Sequence, residues 1–215
     1  MKIDVAQVIG AVTRTVEQRN HDGRPARVVI ATRTYAAEVG DVWDAMTNGE
    51  RIPRWFLPIT GDLRLGGRYQ LRGNAGGEIT GCKPPHLLSV TWEFGGQVSW
   101  LTVRLSEPRK NETLLELEHV AHVDDERWNQ FGPGAGGVGW DMALMGLGQH
   151  LATGASTDPK EAITWLSSPD GKVFVATSSD DWARASVASG TDATQAKAAA
   201  ARTTAAYSGA AASGK

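Results

Sequence analysis

The 215 residues predict an α+β fold, an antiparallel meander closed by one long helix, and three features carry that prediction. From Tyr69 onward the apolar residues recur at every second position. Gly-Gly, Pro-Pro and Lys-Asn clusters punctuate these runs. After them comes an amphipathic run, Val138 to Leu151, with Trp140, Leu144, Leu147 and Leu151 on one stripe. Neighbouring side chains on a strand point to opposite faces, so one-sided alternation describes a sheet with one apolar and one wet face. The apolar face needs a cover, and the 138–151 helix is the long helix placed to supply it.

The elements follow in order. Ile3 to Glu17 sets Val5, Ile9, Val12 and Val16 at helical spacing, which predicts a short amphipathic helix, and Asn20 to Pro25 is a turn cluster. Arg27 to Tyr35 is rich in β-branched residues and reads as a strand. Glu38 to Thr47 and Asn48 to Arg54 read as two short helices, the second limited by Pro53. In the meander, Tyr69 and Leu71 alternate with Arg68, Gln70 and Arg72. Leu88, Val90, Trp92 and Phe94 form the next apolar set, then Leu101, Val103 and Leu105, then Leu115, Leu117 and His119. Gly66-Gly67 and Gly76-Gly77 serve a strand start and a hairpin turn; no Lys-Ser or Lys-Thr follows, so they are no phosphate loop. The Gly-rich run from Phe131 to Gly139 reads as a loop before the covering helix, and Asp124, Asp125 and Glu126 as a solvated charged loop.

Beyond the helix, Asp158-Pro159 opens a helix through about Leu166. Gly171 to Val175 reads as a short extended piece, Ser179 or Asp180 as the cap of a helix ending at Gly190, and Asp192 as the cap of an Ala-rich helix ending near Gly209. Trp165, Phe174, Trp182 and Tyr207 are too many large aromatics for a free tail. The expected division is therefore 1–26 as a helix and joint, 27–152 as the domain, 153–208 as a helical extension packed on that domain or on a second subunit, and 209–215 as a disordered tail. Gly146 and Gly148 in the covering helix lower its propensity, which predicts that another element, the 158–207 segment, crosses it closely.

Composition narrows function. With a net charge of −2 there is no basic face for nucleic acid or an anionic membrane. A single cysteine, Cys82, excludes an internal disulfide and a multi-thiolate zinc or iron–sulfur site; it reads as a small core residue. No apolar run approaches the roughly 18 residues of a membrane span, so membrane insertion is not expected and a cytoplasmic location follows by default. No metal or other cofactor is expected.

Five short motifs point to a family: Val42-Trp43-Asp44-Ala45-Met46-Thr47, Arg54-Trp55-Phe56, Gly66-Gly67-Arg68-Tyr69, Pro84-Pro85 and Val90-Thr91-Trp92. The series resembles the START/SRPBCC superfamily, in its branch of homologues of the heat-shock chaperone ATPase activator. The resemblance covers roughly Val28 to Leu151. It implies a helix-grip fold, a curved antiparallel sheet wrapped around a long C-terminal helix, with an apolar cavity between the two and a mobile lid where the Gly-rich run lies. It also implies that Trp43 packs the short helices onto the sheet, that Trp55 and Phe56 lie near the cavity mouth, and that His119 matches the histidine of a Leu-x-Leu-x-His strand.

The inward sets then become the candidate ligand-binding residues: Trp55, Phe56, Tyr69, Leu71, Leu88, Val90, Trp92, Leu101, Val103, Leu117, His119, Trp140, Leu144 and Leu147. Each of them also suits a filled core, and a satisfied structural histidine is the plainer reading of His119. His122 falls on the opposite face and reads as solvated. The resulting expectation is a binder of a small hydrophobic, lipid-like or aromatic molecule, with no defined catalysis. One alternative is an aromatase/cyclase-like enzyme acting on polyketide-like substrates, with His119 as the catalytic candidate and Arg33 as a second polar group. Another is a chaperone-interacting protein, although only about twenty-five residues precede the first strand, where the named activators carry a further chaperone-binding domain. The terminal helices are the candidate surface for a homodimer.

Overall fold

The computed structural model describes residues 3–209. In chain order its elements are α1 (Val5–Gly10), β1 (Val12–His21), β2 (Arg24–Tyr35), α2 (Val39–Thr47), α3 (Ile52–Trp55), β3 (Ile59–Gly61), β4 (Arg68–Leu71), β5 (Gly76–Lys83), β6 (Leu87–Phe94), β7 (Gln97–Arg109), β8 (Glu112–His122), α4 (Asp125–Phe131), α5 (Gly134–Thr153), α6 (Pro159–Ser167), α7 (Pro169–Ala188) and α8 (Ala193–Tyr207). Among the described residues the strands form one sheet in the order β1-β2-β8-β7-β6-β5-β4-β3. The pairs from β3 to β8 are antiparallel. Register breaks at Ile79/Gly81 and Ser106/Arg109 are the places where extra residues bend strands and curve a sheet. An open curved sheet followed by a long helix is the predicted α+β helix-grip architecture.

The chain divides into two compact units, one of Met1–Ala31, His122–Met142 and Asp158–Lys215, the other of Thr32–Ala121 and Ala143–Thr157. This differs from a division at 26 and 152, because the terminal segments share a core of their own with the first part of α5. In the first unit Phe174 and Trp182 are fully buried, together with Val28, Val138 and Val175. Helix α7 packs on α1, β1, α6 and α8. Ala196, Ala199 and Ala200 are buried on α8, so the Ala-rich segment is a packed helix with small side chains.

The structure departs from several sequence expectations. Only Val5–Gly10 of the 3–17 segment is helical; Val12–His21 is a strand. Val12 and Val16 are buried at a spacing that suits helix and strand alike, and the residue between them on the same strand face is Arg14, whose charge hid the alternation. The turn cluster is a two-residue hairpin turn at Asp22 (φ 49) and Gly23 (φ 74), the Asp-Gly pair that such turns prefer. The second short helix starts at Ile52 rather than 48, with Pro53 in its first turn rather than at its end. Gly76 and Gly77 begin β5, and the hairpin turn precedes them.

The 124–126 loop is the start of α4, whose N-cap is Asp124, accepting from the Arg127 N–H at 3.0 Å. The Gly-rich run is largely the first turn and a half of α5, not a loop. Gly137 explains why glycine is needed there: a β-carbon at that position would collide with the Trp182 indole. The close crossing predicted for α5 thus exists, but at Gly137 and, against Thr203, at Gly134. Gly146 and Gly148 serve the second unit instead, where a β-carbon would meet the Trp55 carbonyl at 2.6 Å and the Arg33 guanidinium at 3.0 Å. Helix α7 runs through the expected extended piece at 171–175 and starts earlier than expected: Ser168 is its N-cap and Pro169 lies in its first turn. Asp192 caps α8 as expected, accepting from the Gln195 N–H at 2.9 Å. Of the expected tail over 209–215, only Gly209 is among the described residues.

Candidate functional site

The second unit places most of the candidate residues on one sheet face. Leu88, Val103 and Leu117 stand opposite one another across β6, β7 and β8, with Cys82 of β5 beside Leu88. Ile79, Val90, Leu101 and His119 form the next row, and Trp92 and Ser99 the row after. The opposite face carries Arg104, Glu116 and Glu118, joined in ion pairs, but it is not wet throughout: Val120 is buried there, paired with Trp100.

Accessibility rises along the inward face. Val103 and Leu117 are buried, whereas Leu101, His119, Trp92 and Ser99 are partly accessible, and Phe94, at the Gly95-Gly96 turn, is 52% exposed. Tyr69, Leu71, Ile79 and Val90 make a buried base, and Phe56, Leu88, Trp92 and Leu101 pack against it while keeping some exposure. Tyr69 donates to the Thr91 carbonyl at 2.8 Å, and burial pushes its phenol well above the ordinary value.

His119 lies 2.8 Å from the Ser99 hydroxyl through Nε2, and Ser99 Oγ donates to the Trp92 carbonyl at 3.1 Å. The Trp92 indole meets the imidazole edge-on, with centroids 6.3 Å apart. Desolvation lowers the imidazole pKa from 6.5 to about 4, so His119 is neutral at physiological pH. Serine has one hydroxyl proton; spent on the Trp92 carbonyl, it leaves Ser99 as the acceptor of a His119 Nε2–H.

The remaining candidates have defined places. Trp55 stacks on Phe56 at 5.4 Å, and its indole N–H donates to the Ala45 carbonyl at 2.8 Å, tying α3 to α2. On α2 the buried residues are Val39, Val42 and Ala45, and Trp43 is half-buried. Leu144 and Leu147 are buried in the second unit. The Leu144 carbonyl accepts from Tyr35 at 3.0 Å and from Arg33 at 3.1 Å, so the direction of Arg33 is toward α5, over the Tyr35 ring. Trp140 is buried but belongs to the first unit. His122, expected to be solvated, is half-buried, with its ring 6.1 Å from that of His21.

Two polar clusters escaped the sequence reading. In the second unit Arg51 joins Asp41 at 2.7 Å and Asp44 at 2.9 Å, and its Nε approaches His150 Nε2 at 3.4 Å. Arg51 holds the Asp44 carboxyl below its ordinary range. In the first unit the buried Asp141 Oδ2 accepts from Arg14 at 2.9 Å, Ser178 at 2.5 Å and Trp182 at 3.2 Å. Arg14 also reaches Asp181 at 3.0 Å. Burial pushes the Asp141 carboxyl up, against the pull of Arg14. Ser99 was missed too, although carrying the Leu101–Val103 alternation two residues back would have found it. Among the described residues no group of three or more His, Cys, Asp or Glu could hold a metal ion, and no helix is long and apolar enough to cross a membrane.

A curved antiparallel sheet with an apolar inner face and a long closing helix defines a helix-grip protein. The chain belongs to the family described as Activator of Hsp90 ATPase homolog 1-like protein, which matches residues 36–152. It is similar to CalU16 from Micromonospora echinospora, 34% identical. The CalU16 crystal structure has a TM-score of 0.62, covering 81% of this chain and 98% of that one, and the solution structure a TM-score of 0.67, covering 83% and 97%. That likeness takes in more of the chain than residues 36–152. Protein MLL2253 from Mesorhizobium loti shares the fold at 24% identity and TM-score 0.53, covering 59% of this chain and 97% of that one. No curated protein matches the chain.

Proposed function

We propose that the protein binds a small hydrophobic molecule, aromatic or lipid-like, on the inward face of the second unit's sheet. The observation that carries this reading is the set of apolar side chains that pack against the buried Tyr69–Leu71–Ile79–Val90 cluster and yet remain accessible: Phe56, Leu88, Trp92 and Leu101. A surface of that kind, with few polar groups, suits a ligand whose binding comes mainly from leaving water. Native mass spectrometry of protein purified without detergent should find a co-purifying apolar molecule. Titration of the stripped protein with naphthalene-class probes, read by tryptophan fluorescence, should saturate at one site. Failure of every probe to saturate would sink the reading.

An aromatase/cyclase-like reaction is the second reading, favoured by the hydrogen-bonded His119–Ser99 pair. A general base works best with a pKa near the working pH, and a value of about 4 makes His119 a weak one. Binding without proton transfer is therefore preferred.

A further inference from the structure

Among the described residues, the inward positions of β6, β7 and β8 from the Leu88 row to the Trp92 row carry aliphatic or aromatic side chains except at Ser99 and His119. Burying an imidazole and a hydroxyl there is unfavourable unless their hydrogen bonds are made, and an apolar pair would fill the space at lower cost. The bonds are made in a particular sense. Ser99 Oγ donates its single proton to the Trp92 carbonyl at 3.1 Å and takes one bond from His119 Nε2 at 2.8 Å. A hydroxyl oxygen accepts two bonds, so Ser99 retains one lone pair, on a partly accessible residue whose partner His119 meets the Trp92 indole. That residual capacity is an acceptor, not a donor, and the pair carries no charge at neutral pH.

Resting on the binding reading above, we infer that Ser99, oriented by His119, is the polar anchor of the site and that the ligand it takes is an uncharged aromatic molecule bearing a hydroxyl group. The ligand hydroxyl donates to Ser99 Oγ while its ring lies against Trp92. An acceptor-only ligand such as an ether finds no donor at Ser99. A carboxylate would place a charge beside a pair that holds none.

Full-length protein, the Ser99→Ala variant and the His119→Phe variant are titrated with naphthol, methoxynaphthalene, naphthalene and naphthoate. Naphthol should bind the unaltered protein about tenfold tighter than methoxynaphthalene or naphthalene, although it is the more water-soluble of the three, which is the size of effect one neutral hydrogen bond supplies. In Ser99→Ala that preference should fall to within about twofold of unity while naphthalene affinity is kept. His119→Phe should weaken the preference by loosening the hydroxyl's orientation. Equal affinity for naphthol and its methyl ether, or a preference that survives in Ser99→Ala, overturns the assignment of Ser99. Naphthoate binding tighter than naphthol overturns the ligand class. Absence of saturable binding by all four probes instead removes the binding reading itself.

Discussion

His119 shows what a single residue contributes through its surroundings. The unfolded chain takes up a proton on this imidazole near the ordinary 6.5, the folded protein only near 4. Between those values the unfolded state binds more protons, so stability is full above pH 6.5 and is lost as pH falls toward 4. The slope is at most about 1.4 kcal/mol per pH unit. Urea denaturation at pH 7 and pH 5 should show this loss in the parent protein and a shallower one in His119→Phe; equal slopes would refute the burial argument. Arg14 makes the opposite point, a charge held inside by its partners. Its side chain is 4% exposed and that of Asp141 1%. Arg14→Met leaves the buried Asp141 carboxyl without its cation, which should cost about 3–5 kcal/mol, and adding Asp141→Leu should recover much of that, as measured by denaturant midpoints.

At the scale of elements, α5 is held in two different ways along its length. Its first turns use glycine to admit the Trp182 indole in the first unit, and its later turns accept the Tyr35 and Arg33 hydrogen bonds at the Leu144 carbonyl in the second. Gly137→Ala should therefore destabilise by about 1–3 kcal/mol through overpacking, although alanine is the better helix former. Thermal unfolding checks this, and a raised melting temperature would contradict it. Helix α8 in turn supplies the C-terminal carbonyls of α4 with partners. Arg202 reaches Gln130 at 2.6 Å and Asn129 at 2.8 Å, and Thr203 reaches Phe131 at 2.7 Å. These carbonyls lack partners within α4, so a charged donor from another helix replaces the missing cap. No periodicity in the α4 sequence reveals this, since the donor lies about seventy residues away.

For the whole molecule, the C-terminal segment is part of a core rather than an appendage. Phe174 and Trp182 are both fully buried, and α7 packs on α1 and β1. A chain truncated after Thr157 should lose solubility or bind a hydrophobic dye strongly, because Val12, Val16 and Val138 lose their cover. Retention of a sharp, unchanged thermal transition would show that the extension is dispensable.

The sequence alone determined the meander, the order of strands before helix, the helix start at Asp158-Pro159, the cap at Asp192, and the apolar face from Leu88 to Leu117. Those features are local: alternation, capping and turn chemistry act over a few residues and leave their mark in spacing. Tertiary structure alone decided that Val12–His21 is a strand, that the 131–139 glycines lie mostly in a helix, and that Ser99 meets His119. Each of these depends on a partner distant in the chain, as Asp141 is for Arg14 and Trp182 for Gly137. A buried charge or a glycine reads as a surface residue or a loop until the group that satisfies or fills it is in place.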